Sequence, residues 1–119
     1  MKELNLTIPW PPTVNTYYRA INRGRFATQI LSKKARQYKK DVLRSVQVNL
    51  GPLTGRLALT IYLHPPTKHK IDIDNRVKAV QDSLTAAGIW LDDSQIDELT
   101  VYRCDIIKGG KAVVKVKEI

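Results

Sequence analysis

The chain is 119 residues long, which is one domain's worth and enough for a single small core. A hydrophobic fraction of 43% with mixed charge excludes a disordered chain, and the absence of any run of 18 apolar residues excludes a spanning helix. The net charge of +9 is unevenly placed: residues 1–71 carry +11 and residues 72–119 carry −2. That polarity points to nucleic acid as partner for the first part and to an acidic site in the second.

Leu4, Leu6 and Ile8 alternate with Asn5 and Thr7, which predicts a first strand, and Pro9-Trp10-Pro11-Pro12 stops it. Thr13, Val14, Asn15 and Thr16 follow as a polar stretch that is either a plain turn or a set of phosphate contacts. Tyr17-Tyr18-Arg19 and Phe26-Ala27-Thr28 flank Asn22-Arg23-Gly24-Arg25, a hairpin pattern with glycine in the turn. Arg19, Arg23 and Arg25 make this ribbon basic, suited to a phosphate backbone or to a solvated edge. Ser32 is the expected N-cap of a helix running to about Asn49. Ala35, Tyr38, Val42 and Val46 form its apolar stripe, with Lys33, Arg36, Lys40 and Arg44 opposite, facing DNA, a partner or solvent.

Leu57, Leu59, Ile61 and Leu63 alternate through a second strand, broken by His64-Pro65-Pro66-Thr67. His64 and His69 lie across two prolines with no cysteine near, which is not a zinc pattern. A second helix is expected to open between Asp72 and Asp74, with Ile73, Val77, Val80, Leu84 and Ala87 inward and Gly88 as its stop. Trp90 to Ser94 reads as a turn, Leu99 to Ile107 as a strand with Cys104 as core filler, Lys108-Gly109-Gly110-Lys111 as a hairpin turn, and Val114 and Val116 as the last strand. The fold class is therefore α/β of the α+β type. One domain over residues 1–119 holds a single mixed sheet with two main helices mainly on one face, in the order β, hairpin, α, β, α, β, β.

The chemistry concentrates between Lys68 and Asp93. Lys68, His69 and Lys70 lead into Asp72-Ile73-Asp74-Asn75-Arg76-Val77-Lys78, and Asp92-Asp93 follows the helix. Aspartates at i and i+2 of an extended segment share a face and can converge on one cation. Oxygen ligands suit Mg²⁺ or Mn²⁺. Capping alone would need one aspartate, and Asp92-Asp93 alone would serve as turn residues. Lys78, one turn past Asp74, can pair structurally or stabilise charge on a phosphate, with Asp82 at i+4 as the competing partner.

These residues resemble the RusA family of Holliday-junction resolvases. The resemblance begins at Leu6-Thr7-Ile8-Pro9-Trp10-Pro11-Pro12, with Asn15 and Tyr18-Arg19. It is most specific at Asp72–Lys78 and Gly88–Ile96. It implies a homodimeric, Mg²⁺-dependent endonuclease that nicks four-way DNA junctions on two opposed strands in recombination and repair, with a preference for certain dinucleotides. It also implies metal-binding carboxylates at Asp72, Asp74 and Asp93, an essential lysine at Lys78, and DNA-contacting loops at Thr13–Thr16 and Lys68–Asn75, to which Arg76 adjoins. The run before Asp72 departs from an arginine-rich family example, and lysine lacks arginine's bidentate fork. The rival expectations are a non-catalytic nucleic-acid-binding protein and a less selective flap or single-strand nuclease. The single cysteine and the lack of an apolar leader fit a cytoplasmic protein.

Overall fold

A computed structural model describes residues 3–23, 26–46 and 51–119. Four strands form the main sheet: β1 (Glu3–Pro9), β4 (Leu57–His64), β5 (Ile96–Arg103) and β6 (Lys111–Glu118), in the spatial order β1-β6-β4-β5. β6 runs antiparallel to both β1 and β4, whereas β5 pairs with β4 in parallel, so the sheet is mixed as expected. The hairpin of β2 (Tyr18–Arg23) and β3 (Phe26–Leu31) stands as a separate two-stranded sheet, and its expected turn at Gly24-Arg25 lies outside the described residues.

The alternation in β4 decides which face is core. Leu57, Leu59, Ile61 and Leu63 are fully buried, and their partners Val116, Val114 and Ala112 on β6 are buried with them. The opposite face carries Lys111, Lys115, Thr60 and a stacked Tyr62–Tyr102 pair, 5.4 Å between ring centroids. Two helices cover the core face: α2 (Lys33–Ser45) and α3 (Val77–Ala86), packed on each other and, for α2, on β1. Tyr38 of α2 is tied to β1 by a hydrogen bond from its hydroxyl to the Pro9 carbonyl, 2.7 Å. Burial pushes the Tyr38 phenol well above its ordinary pKa, so it stays a donor.

Local chemistry sets the helix ends. Ser32 Oγ accepts from Ala35 N (3.1 Å) and donates to Thr16 O (2.6 Å), so one hydroxyl caps α2 and fixes the segment before the hairpin. At the end of α3, Gly88 takes φ +81, with Gly88 N bonded to Thr85 O and Ile89 N to Leu84 O. That is the Schellman pattern, and its left-handed residue favours glycine.

Four expectations need correction. Val14–Tyr17 forms a single helical turn, α1, rather than a plain turn, closed by Thr16 N bonding to Thr13 O. Helix α2 ends at Ser45, because Val46 turns extended and buries its side chain; residues 47–50 lie outside the described residues. Strand β5 spans Ile96–Arg103 instead of Leu99–Ile107, which leaves Cys104 half-buried beyond its end. Finally, Gly109 and Gly110 do turn the chain at positive φ, but β5 and β6 are not neighbours. The apolar β4 takes the place between them, and β5, exposed at Asp97, Glu98, Thr100 and Arg103, goes to the edge where water can reach it.

Candidate nucleic-acid and metal site

β4, α3 and β5 make a parallel strand–helix–strand unit, and all four expected catalytic residues lie in its crossover. At the carboxyl end of β4 the chain passes through exposed Thr67, Lys68, His69 and Lys70 and enters a 3₁₀ turn, Ile73–Arg76, which runs into α3. Ile73 and Val77 point to the core and thereby turn Asp72 and Asp74 out to solvent. Asp72 sits at the N-cap with extended backbone, yet its side chain makes no capping bond. Its nearest polar contact is Asn75 Nδ2 at 3.5 Å. Capping therefore does not account for Asp72.

Two further segments meet this turn. Helix α1 packs against it, bringing Thr13–Thr16 alongside, with Val14, Asn15 and Thr16 exposed. Arg103 at the end of β5 donates to Ile71 O at 2.6 Å, fixing the approach to Asp72. The two loops expected to touch DNA thus adjoin the first two aspartates. Arg76 is half-buried: its Nη1 donates to Pro11 O (2.6 Å), and its guanidinium lies 5.0 Å from the Trp10 ring centroid. Burial lowers its pKa from the ordinary value, although a guanidinium remains protonated. Arg19 and Arg23 lie on β2, and Arg25 is outside the described residues.

The other end of α3 is built differently. Asp93 Oδ1 accepts from the Thr85 hydroxyl and from Trp90 Nε1 (3.2 Å), and Trp90 Nε1 also donates to Thr85 Oγ1 at 2.6 Å. Asp92 caps the 3₁₀ turn Asp93–Gln95, accepting from Ser94 N at 3.0 Å, and hydrogen bonds from the Ser94 side chain first and its backbone N–H second hold the Asp92 carboxyl below the usual range. Gln95 is buried. Its Oε1 accepts from Leu91 N and Asp92 N, and its Nε2 donates to Leu53 O and Gly55 O, all at 2.7–2.9 Å. Asp92, Asp93, Asp82, Thr85 and Lys39 border an open cleft of about 360 Å³. Residue types alone did not reveal the Thr85 and Gln95 roles; Trp90 three residues before Asp93 was the available signal.

Asp93 and the Asp72–Asp74 pair are thereby separated. Thr85, which Asp93 touches, lies eleven residues along from Asp74, and the eight helical steps from Val77 to Thr85 alone rise about 12 Å. No three acidic, histidine or cysteine groups gather into a metal site among the described residues. Asp72 and Asp74 offer the oxygen donors that a hard cation takes, but one chain does not assemble the expected three-carboxylate set. Lys78 Nζ lies 3.3 Å from Asp82 Oδ1, so the competing structural pair is formed.

The sequence matches the family described as "Endodeoxyribonuclease RusA" over residues 9–117. It is 34% identical over 119 residues to the crossover junction endodeoxyribonuclease RusA of Escherichia coli K12, covering all of this chain and 98% of that protein. It is 37% identical over 122 residues to the corresponding protein of Enterobacteria phage 82, with the same coverage. A family match over residues 9–117 and 34% identity over the whole chain show that the chain belongs to the RusA family of endodeoxyribonucleases.

Proposed function

We propose that this protein cuts four-way DNA junctions by paired nicks, with the turn Asp72–Arg76 at the centre of each site. The observation that carries the reading is the outward presentation of Asp72 and Asp74 without structural bonds that would explain them, next to Lys68, His69, Lys70 and Thr13–Thr16. The lysines neutralise phosphates and the threonine hydroxyls orient them. The cation that family likeness implies is Mg²⁺ or Mn²⁺.

The division of the carboxylates between two ends of α3 favours a homodimer in which Asp93 of one copy completes the Asp72–Asp74 set of the other. A twofold dimer also matches the near-twofold symmetry of a four-way junction. No helix among the described residues is long and apolar enough to cross a membrane, and a cytoplasmic setting is part of the proposal.

Cleavage of a four-way junction beside a matched linear duplex, with Mg²⁺ and with EDTA, tests the activity. Cutting confined to the junction with Mg²⁺ supports it, and equal cutting of both substrates identifies a less selective nuclease. Mixing inactive Asp74→Asn and Asp93→Asn proteins tests the shared site. A mixed dimer regains one intact site and nicks one strand if the carboxylates come from two copies. It stays inactive if each site lies within one chain.

A further inference from the structure

The cleft beside Asp93 holds a cation that the fold leaves unused. Its rim carries Asp82 from α3, Asp92 and Asp93 from the turn after it, and Lys39 from α2, around about 360 Å³. Helical spacing sets Lys39 apart from its neighbours. It follows the buried Ala35 by four residues and precedes the buried Val42 by three, so it borders the apolar stripe of α2. Every other basic residue of that helix, Lys33, Lys34, Arg36, Lys40 and Arg44, is exposed, whereas Lys39 is half-buried. A lysine at such a border lays its methylene stem along apolar surface and delivers the ammonium to the rim.

The three carboxylates of the cleft already have partners. Asp82 Oδ1 lies 3.3 Å from Lys78 Nζ, Asp92 accepts from Ser94 N at 3.0 Å, and Asp93 Oδ1 accepts from Trp90 Nε1 at 3.2 Å. Among the described residues, Lys39 makes no ion pair with any of them. An ammonium has three donors and no acceptor, so one held at a half-buried rim suits an anion that brings its own oxygens. Asp93 keeps Oδ2 clear of Thr85 and Trp90 and borders the same cleft. One cleft thus offers an acidic oxygen for a hard cation and an ammonium for a phosphate.

We propose that Lys39 grips a backbone phosphate of the strand being cut, and that it does so as part of the Asp93 half-site. Each copy then brings Lys39 and Asp93 together to the Asp72–Asp74 turn of the other copy. The inference rests on the shared-site reading above and deepens it, because a phosphate contact crosses between copies along with the acidic oxygen.

Two measurements on the full chain test this. In EDTA, Lys39→Ala should make the log–log salt dependence of junction binding shallower by about 0.9 for each Lys39 removed. Thermal melting should hold, since alanine is a good helix former, and Lys39→Arg should keep the slope because it keeps the charge. An unchanged slope in Lys39→Ala overturns the phosphate contact. With Mg²⁺, Lys39→Ala should slow single-turnover cleavage about 10- to 100-fold, the effect of losing one hydrogen bond to a charged group.

Mixing then locates the lysine. Lys39→Ala with Asp74→Asn rebuilds one complete site, since the second protein brings Lys39 and Asp93 to Asp74 of the first. Nicking of one strand at the wild-type rate should return. Lys39→Ala with Asp93→Asn should stay slow, because neither protein carries both Lys39 and Asp93. Recovery in this second mixture instead assigns Lys39 to the Asp74 end and overturns the proposal. If Asp74→Asn with Asp93→Asn regains cutting but Lys39→Ala with Asp74→Asn does not, the half-site assignment falls and the shared site stands. If neither regains cutting, the shared site falls and the inference falls with it.

Discussion

The two ends of α3 carry the same residue type and treat it in opposite ways. At the start, Asp72 and Asp74 stand in water with one long contact, from Asn75. Past the other end, Asp93 accepts from Thr85 and Trp90 while Asp92 caps its own turn, and the buried Gln95 bonds that turn to residues 53–55. The first end can lose a carboxylate without disturbing the fold. The second has its carboxylates woven into the packing around a fully buried Trp90. An acidic residue exempt from structural work is available for a ligand, whereas one held by an indole and a hydroxyl is available only through its remaining oxygen.

Substitution of the exposed pair should expose this contrast most strongly. Asp74→Asn should lower single-turnover junction cleavage by about 10²–10³-fold or more, the cost of removing one preorganised electrostatic group. Its thermal melt should not move. If cleavage survives, the open end of α3 is not the reacting end.

Lys78→Ala comes next. We expect a loss of about 10²-fold in cleavage, with a stability change of roughly 0–1 kcal/mol for a partly exposed pair with Asp82. A lowered melt with near-normal cleavage would assign the lysine wholly to that pair.

The closed end should respond in stability. Asp93→Ala removes the acceptor shared by Thr85 and Trp90 and should cost about 1–3 kcal/mol, measured by denaturant unfolding. Asp74→Ala should cost within about 0.5 kcal/mol, as for an unengaged surface residue. Equal losses would erase the difference between the ends.

The smallest effect is in acid. The Ser94 bond depresses the Asp92 carboxyl, so its contribution is complete above the unfolded value of about 4 and disappears as pH falls through the lower folded value. Asp92→Asn should lower stability by a constant amount near neutrality and flatten the profile below about pH 4. The Arg56 bond depresses the Asp97 carboxyl in the same direction, so Asp97→Asn serves as the parallel case.

Local signals were legible and non-local ones were not. The Ser32 cap, the Gly88 stop and the alternation of β4 each depend on a few adjacent residues, and each appears where the sequence places it. The bounds of β5 depend on pairing with a strand about 40 residues away, and its apolar Leu99, Val101 and Ile107 favour a later start by pattern alone. The acids of the site were identifiable by type. Their separation was not, because it follows from the length of α3 and from Trp90 drawing Asp93 to Thr85.

Gly110 has a consequence for how this chain tolerates change. At φ +70, a Cβ on it would come within 2.9 Å of Trp10 Cβ and 3.0 Å of Pro66 Cδ, whereas Gly109 at φ +83 faces open space. Both positions resist side chains through backbone conformation, but only Gly110 stands behind the indole that supports Arg76. In a saturation-mutagenesis map, this turn should therefore share the phenotype of the acidic turn. Alanine at 109 should yield merely less protein. Alanine at 110 should yield protein that folds with Trp10 displaced and handles DNA poorly.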